Sequence, residues 1–149
     1  MDMTDISGKY DGVLTYLKGY RNFAGKKLYF EMDIKKEGDN FTGTARDSSG
    51  FGVQDKLAKV KGKYSSEDGV IVFAKQYETL VAFKSFSSDE SVEDTSQKGL
   101  LIIYEGKLIP EKIEFSGTWE IKIKVKLFSF IPWTVRCGGI WKMKKAGIS

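Results

Sequence analysis

Apolar and polar residues alternate with a period of two along most of the chain. Leu28, Phe30, Met32 and Ile34 are interleaved with Tyr29, Glu31, Asp33 and Lys35. Trp119, Ile121, Ile123, Val125 and Leu127 are interleaved with Glu120, Lys122, Lys124 and Lys126, and a third run places Val135, Cys137, Gly139, Trp141 and Met143 in phase. Strands with one buried and one wet face produce this pattern. Turn residues separate the runs: Glu37-Gly38-Asp39-Asn40 and Glu67-Asp68-Gly69 read as hairpins, and Gly106-Lys107-Leu108-Ile109-Pro110 as a further reversal. The alternation predicts strands over 8–17, 27–37, 40–47, 56–64, 69–77, 79–86, 99–106, 112–127 and 133–145. Val53, Leu57 and Val60 also have helical spacing, so a helical turn within 52–60 is the local alternative.

Short runs joined by tight turns describe an antiparallel meander rather than alternating strands and helices. A sheet of roughly eight to ten strands curls, and closing it removes its exposed edges. The expected fold is therefore all-β, an up-and-down meander closed into a barrel, with a two-sheet β-sandwich as the alternative. No linker divides the chain, so residues 1–149 are expected to form one domain. The Ser-rich, acidic stretch 86–99 has no periodicity and is expected to be a mobile loop.

Composition narrows the chemistry. The chain has 149 residues, 41% of them hydrophobic and 13% aromatic, which suits a folded domain with a substantial core. It contains no histidine, which removes Ser-His-Asp and Cys-His catalysis and every imidazole-ligated metal. Its single cysteine, Cys137, sits on an apolar strand face and reads as an inert buried thiol. Gly50-Phe51-Gly52 precedes no Gly-Lys-Ser/Thr and is no phosphate loop, and nothing in the spacing of Asp47, Asp55, Glu105 and Glu114 nominates a catalytic carboxylate pair. The chain is accordingly expected to be no enzyme, with no cofactor and no metal.

The first residues resemble no signal peptide, and the longest uncharged run, Leu127–Val135, is nine residues, far short of a membrane helix. A cytoplasmic location is expected. The net charge of +4 is uneven: residues 105–149 carry nine basic and four acidic groups, and residues 87–104 one and four. Lys122, Lys124 and Lys126 form a ladder that could meet an anion, but a solvated outer face explains it better, so nucleic acid is not an expected partner.

One short pattern recurs, a glycine two residues before an aromatic: Gly8-Lys9-Tyr10, Gly62-Lys63-Tyr64, Gly117-Thr118-Trp119 and Gly139-Ile140-Trp141. A strand glycine admits a close approach, and the ring beyond it fills the interior. In a meander of this length, the Gly-x-Trp starts resemble the calycin superfamily of lipocalins, fatty-acid-binding proteins and avidins. The resemblance implies a barrel whose lumen holds a small, often apolar molecule. The chain departs from that pattern in having Tyr10 where lipocalins carry tryptophan, no cysteine pair, and an 18–26 segment too short for a helical lid. No polar set matches avidin's biotin contacts.

Two functions of different class follow. In the first, the chain is a non-enzymatic intracellular binding protein that holds an apolar or amphipathic ligand. Its lumen would be lined by Phe30, Met32, Phe41, Phe73, Ile102, Tyr104, Trp119 and Trp141, with Arg46 or Tyr77 as polar contacts. In the second, the barrel is filled and the chain is an interaction or homo-oligomeric scaffold. Its contact would be the unusually apolar 127–133 segment, with Phe128, Phe130, Ile131 and Trp133 as partner or portal residues.

Overall fold

In a computed structural model, the described residues are 5–18, 24–50, 57–77, 80–83, 91–94, 101–127 and 131–146. Ten strands form one sheet: β1 (Gly8–Lys18), β2 (Lys27–Glu37), β3 (Asn40–Gly50), β4 (Ala58–Ser65), β5 (Val70–Tyr77), β6 (Leu80–Phe83), β7 (Ser91–Asp94), β8 (Leu101–Ile109), β9 (Glu114–Leu127) and β10 (Ile131–Lys145). Eight of them run β10-β1-β2-β3-β4-β5-β8-β9, and β9 pairs with β10 to close the circle. Every pairing in the ring is antiparallel. The chain is therefore an up-and-down β-barrel, and the sandwich alternative is set aside.

β2 shows why the sequence folds this way. Leu28, Phe30, Met32 and Ile34 are buried while Lys27, Tyr29, Glu31, Asp33 and Lys35 are exposed, so one phase of the alternation supplies core and the other solvent contact. β5 does the same with Ile71, Phe73 and Tyr77. Closure adds a demand for close strand approach, met by glycine. A Cβ on Gly62 would strike the Phe73 and Phe41 side chains and the Val72 carbonyl, and one on Gly117 would strike the Glu105 carbonyl.

The interior is layered by aromatic rings. At one end Tyr10, Tyr64 and Phe115 meet at centroid distances of 5.8–6.0 Å. Ile6 is fully buried against this end, and the Tyr10 hydroxyl donates to its carbonyl at 2.7 Å. A 3-10 turn, Pro110–Lys112, followed by the left-handed Ile113 makes the β8–β9 reversal there. In the middle, Phe73 stacks on Tyr104 at 4.6 Å, and Trp141 stands edge-on to both. The β1–β2, β3–β4, β5–β8 and β9–β10 connections all leave from the opposite end, reached through Tyr16, Leu28, Asp47, Lys75, Tyr77 and Trp119.

Several expectations are corrected. Residues 91–94 form β7, paired antiparallel with β6, inside the stretch expected to be loop, because a four-residue strand is too short to show a period. The remainder of 86–99, apart from this strand, lies outside the described residues. The third reversal falls at Pro110–Lys112, since β8 continues through Gly106 to Ile109. β10 starts at Ile131, so the apolar connection is shorter than the expected 127–133; its residues Phe128 and Phe130 lie outside the described residues. Residues 52–56 also lie outside the described residues, whereas Ala58 to Val60 are strand, as the alternation predicts, and the helical alternative is set aside there.

Candidate ligand-binding interior

Nine of the ten expected lumen residues point inward and are buried: Phe30, Met32, Phe41, Phe73, Tyr77, Ile102, Tyr104, Trp119 and Trp141. Arg46 does not. In β3 the inward phase is Phe41, Ala45 and Asp47, so Arg46 faces solvent one position out of step. There it lines an outer groove of about 420 Å³ with Lys9, Asp11, Glu31, Asp33 and Thr44. Ile131 and Trp133 belong to β10, opposite Leu127 and Val125 respectively.

The two tryptophans have committed their polar atoms to the wall. Trp141 Nε1 donates to the Glu105 and Thr118 carbonyls at 3.1 and 3.0 Å. Trp119 Nε1 donates to the Thr15 and Ile140 carbonyls at 3.2 and 3.1 Å. Each indole therefore ties neighbouring strands together, which explains the Gly-x-Trp pattern as barrel closure. Neither N–H is left for a ligand, although the ring faces still border the interior.

The polar chemistry of the interior comes from a cluster that the aromatic pattern conceals. Asp47 and Lys75 are the two buried charged residues among those whose side chains are described. The β2–β3 register runs unbroken from the hairpin through Met32↔Ala45 to Phe30↔Asp47, so Asp47 faces Phe30, and a bulge at Ser48 follows before Tyr29↔Ser49. Lys75 takes the inward position between Phe73 and Tyr77 of β5. Its Nζ lies 4.0 Å from Asp47 Oδ1, and the Tyr77 hydroxyl donates to the same oxygen at 2.5 Å. Three rings surround the ammonium, with centroids at 5.1 Å (Tyr77), 5.4 Å (Phe30) and 5.5 Å (Tyr104).

Burial decides the electrostatics here. Removal from water pushes the Lys75 amine down from 10.5 to about 8, with the Asp47 charge only partly opposing the shift. Burial likewise pushes the hydroxyls of Tyr77 and Tyr104 up, and the Asp47 carboxylate adds to both shifts. Two donors of this cluster, Lys75 Nζ and Tyr104 Oη, make no hydrogen bond. A buried donor without an acceptor costs about 1–3 kcal/mol, so such groups mark places where an acceptor belongs.

Among the described residues no group of three His, Cys, Asp or Glu could hold a metal, and no helix is long and apolar enough to cross a membrane. Comparison of the chain with protein-family models, with curated proteins and with solved structures gives no match.

Proposed function

We propose that this chain is a calycin-like, non-enzymatic intracellular binding protein that takes a small apolar or amphipathic molecule into the barrel from the end where the longer connections leave. The ligand body would lie against Phe30, Ile102 and the ring of Trp119, and its polar end would meet Lys75 and Tyr104. The observation that carries this reading is the pair of buried donors without hydrogen-bond acceptors, beside Asp47 in an interior otherwise lined mainly by apolar and aromatic side chains. Ring faces supply affinity through buried area, and one or two placed polar groups fix orientation. The opposite end is less suited, because Ile6, Tyr10, Tyr64 and Phe115 fill it and the Tyr10 hydroxyl is satisfied. The test is tryptophan emission and thermal shift with a panel of fatty acids, fatty alcohols and retinoids. Saturable quenching with a raised Tm is expected for at least one class. No quenching and no shift across the panel would overturn the reading.

A second reading, an interaction scaffold, draws on the β9–β10 ribbon. β8 leaves β9 at Ile121, yet β9 and β10 stay paired from Lys122↔Arg136 out to Leu127↔Ile131. In this extension Ile123↔Val135, Val125↔Trp133 and Leu127↔Ile131 alternate with Lys122↔Arg136, Lys124↔Thr134 and Lys126↔Pro132. Such an amphipathic ribbon suits self-association through its apolar rows. Sedimentation of wild type and Trp133→Asp decides it: an oligomer that the substitution dissociates supports the scaffold, and an unchanged state removes it.

A further inference from the structure

We infer that Lys75 is a covalent capture site for an apolar aldehyde, its Nζ condensing with the ligand's carbonyl carbon among the rings of Phe30, Tyr77 and Tyr104 and beside Asp47. The inference rests on the binding reading above and names the ligand class of that same interior.

Charge selects the polar end first. Lys75 and Asp47 already form a pair of opposite charges at 4.0 Å. A carboxylate-headed ligand would add a second negative charge beside Asp47 in a desolvated interior, and an ammonium-headed one would oppose Lys75. A neutral group suits the balance. Of the two unsatisfied groups, the Lys75 ammonium can only donate and the Tyr104 hydroxyl can donate too, so a neutral group that accepts hydrogen bonds satisfies both. A carbonyl oxygen meets both requirements.

The amine then decides which carbonyl. Lys75 is the one buried lysine among those whose side chains are described; Lys9, Lys27, Lys35, Lys59, Lys61, Lys63, Lys107, Lys112, Lys142 and Lys144 are exposed, and Lys26, Lys36 and Lys145 half-buried. Its nitrogen has no hydrogen bond to break before it reacts. Burial holds the amine at about 8, so near neutral pH about a tenth of it carries the free lone pair that attacks carbon. Attack forms the C–N bond and converts the carbonyl to a carbinolamine. Loss of water then carries away the carbonyl oxygen together with the two amine hydrogens, leaving a neutral imine and consuming no oxidant or reductant. If the imine is protonated, Asp47 faces the resulting cation as it faces the ammonium now. Tyr77 holds the Asp47 oxygen in place by its hydroxyl.

The experiment treats the full-length chain with decanal and cyanoborohydride at neutral pH, follows tryptophan emission, and maps the reduced decyl adducts by peptide mass spectrometry. Lys75 should be labelled on the order of a hundredfold faster than any exposed lysine, following its larger free-amine fraction near neutral pH. Excess decanol should slow labelling at Lys75 and leave the surface lysines unaffected, and Lys75→Met should lose the fast adduct while the slow labelling of the surface lysines continues. Quenching by decanal with no adduct at Lys75, or labelling there no faster than at the surface, would overturn the covalent assignment while leaving the binding reading intact. If neither decanal nor decanol quenches, the interior takes no such ligand and both fall.

Discussion

Replacing Lys75 with methionine removes a buried ammonium and keeps an unbranched side chain of similar length. The wild-type amine titrates at about 8 in the folded protein against 10.5 as its ordinary value. Below pH 8 both folded and unfolded chains hold the proton, and the folded state bears the full cost of burying it. Between about 8 and 10.5 the unfolded chain binds a proton that the folded chain has released, so stability rises with pH. At about 1.4 kcal/mol for each pH step across that interval, the whole rise is about 3 kcal/mol, of which about 2 falls between pH 8 and 10. Tyr10, Tyr64, Tyr77 and Tyr104 act in the opposite sense. Their raised folded values keep protons on hydroxyls that the unfolded chain loses from about pH 10 upward, so stability falls there. Wild type should therefore be most stable between about pH 8 and 10, and Lys75→Met should lose the rise but keep the alkaline fall. Guanidinium unfolding followed by tryptophan emission at half-unit steps from pH 7 reads both. Parallel profiles for wild type and variant between pH 8 and 10 would refute the claim that Lys75 is a desolvated cation.

Other substitutions probe the same architecture. Asp47→Ala leaves Lys75 without its counter-charge and Tyr77 without its acceptor, and should cost about 3–5 kcal/mol in chemical denaturation. Asp47→Asn keeps an oxygen for the Tyr77 hydroxyl and should cost clearly less. Gly62→Ala drives a methyl group into Phe73, Phe41 and the Val72 carbonyl, and a Tm loss corresponding to about 1–3 kcal/mol is expected. Trp141→Phe fills most of the same space but leaves the Glu105 and Thr118 carbonyls without the indole donor. It should cost about 1–2 kcal/mol, measured by the denaturation midpoint.

The barrel was legible because its strands are half-buried. Leu28-Phe30-Met32-Ile34 reads as a core row from spacing alone, and the structure buries all four. The same rule, carried through strands interrupted by a charge, locates the polar cluster. Ile71-Phe73-x-Tyr77 fixes the inward phase of β5, and Lys75 falls in the missing position. Residue type obscured this, since a lysine is read as a surface residue before its phase is counted. In β3 Arg46 was nominated as a polar contact without its phase being counted, whereas Phe41 and Ala45 put Asp47 inward and Arg46 out. The Asp47–Lys75–Tyr77 contact itself was not legible, because it joins positions 28–30 residues apart on two strands separated in the sheet by β4. β7 escaped for a different reason: Ser91-Val92-Glu93-Asp94 is held by pairing with β6, a non-local cause.

The most direct test of a ligand-holding barrel is isotope-filtered NMR of the labelled chain with saturating unlabelled decanol. Contacts are expected from the alkyl chain to Phe30, Ile102 and Trp119, and from the carbinol end to Tyr104 and the Lys75 side chain. Contacts confined to exposed residues such as Tyr29, Leu101 and Ile103, or none at all at saturation, would contradict it.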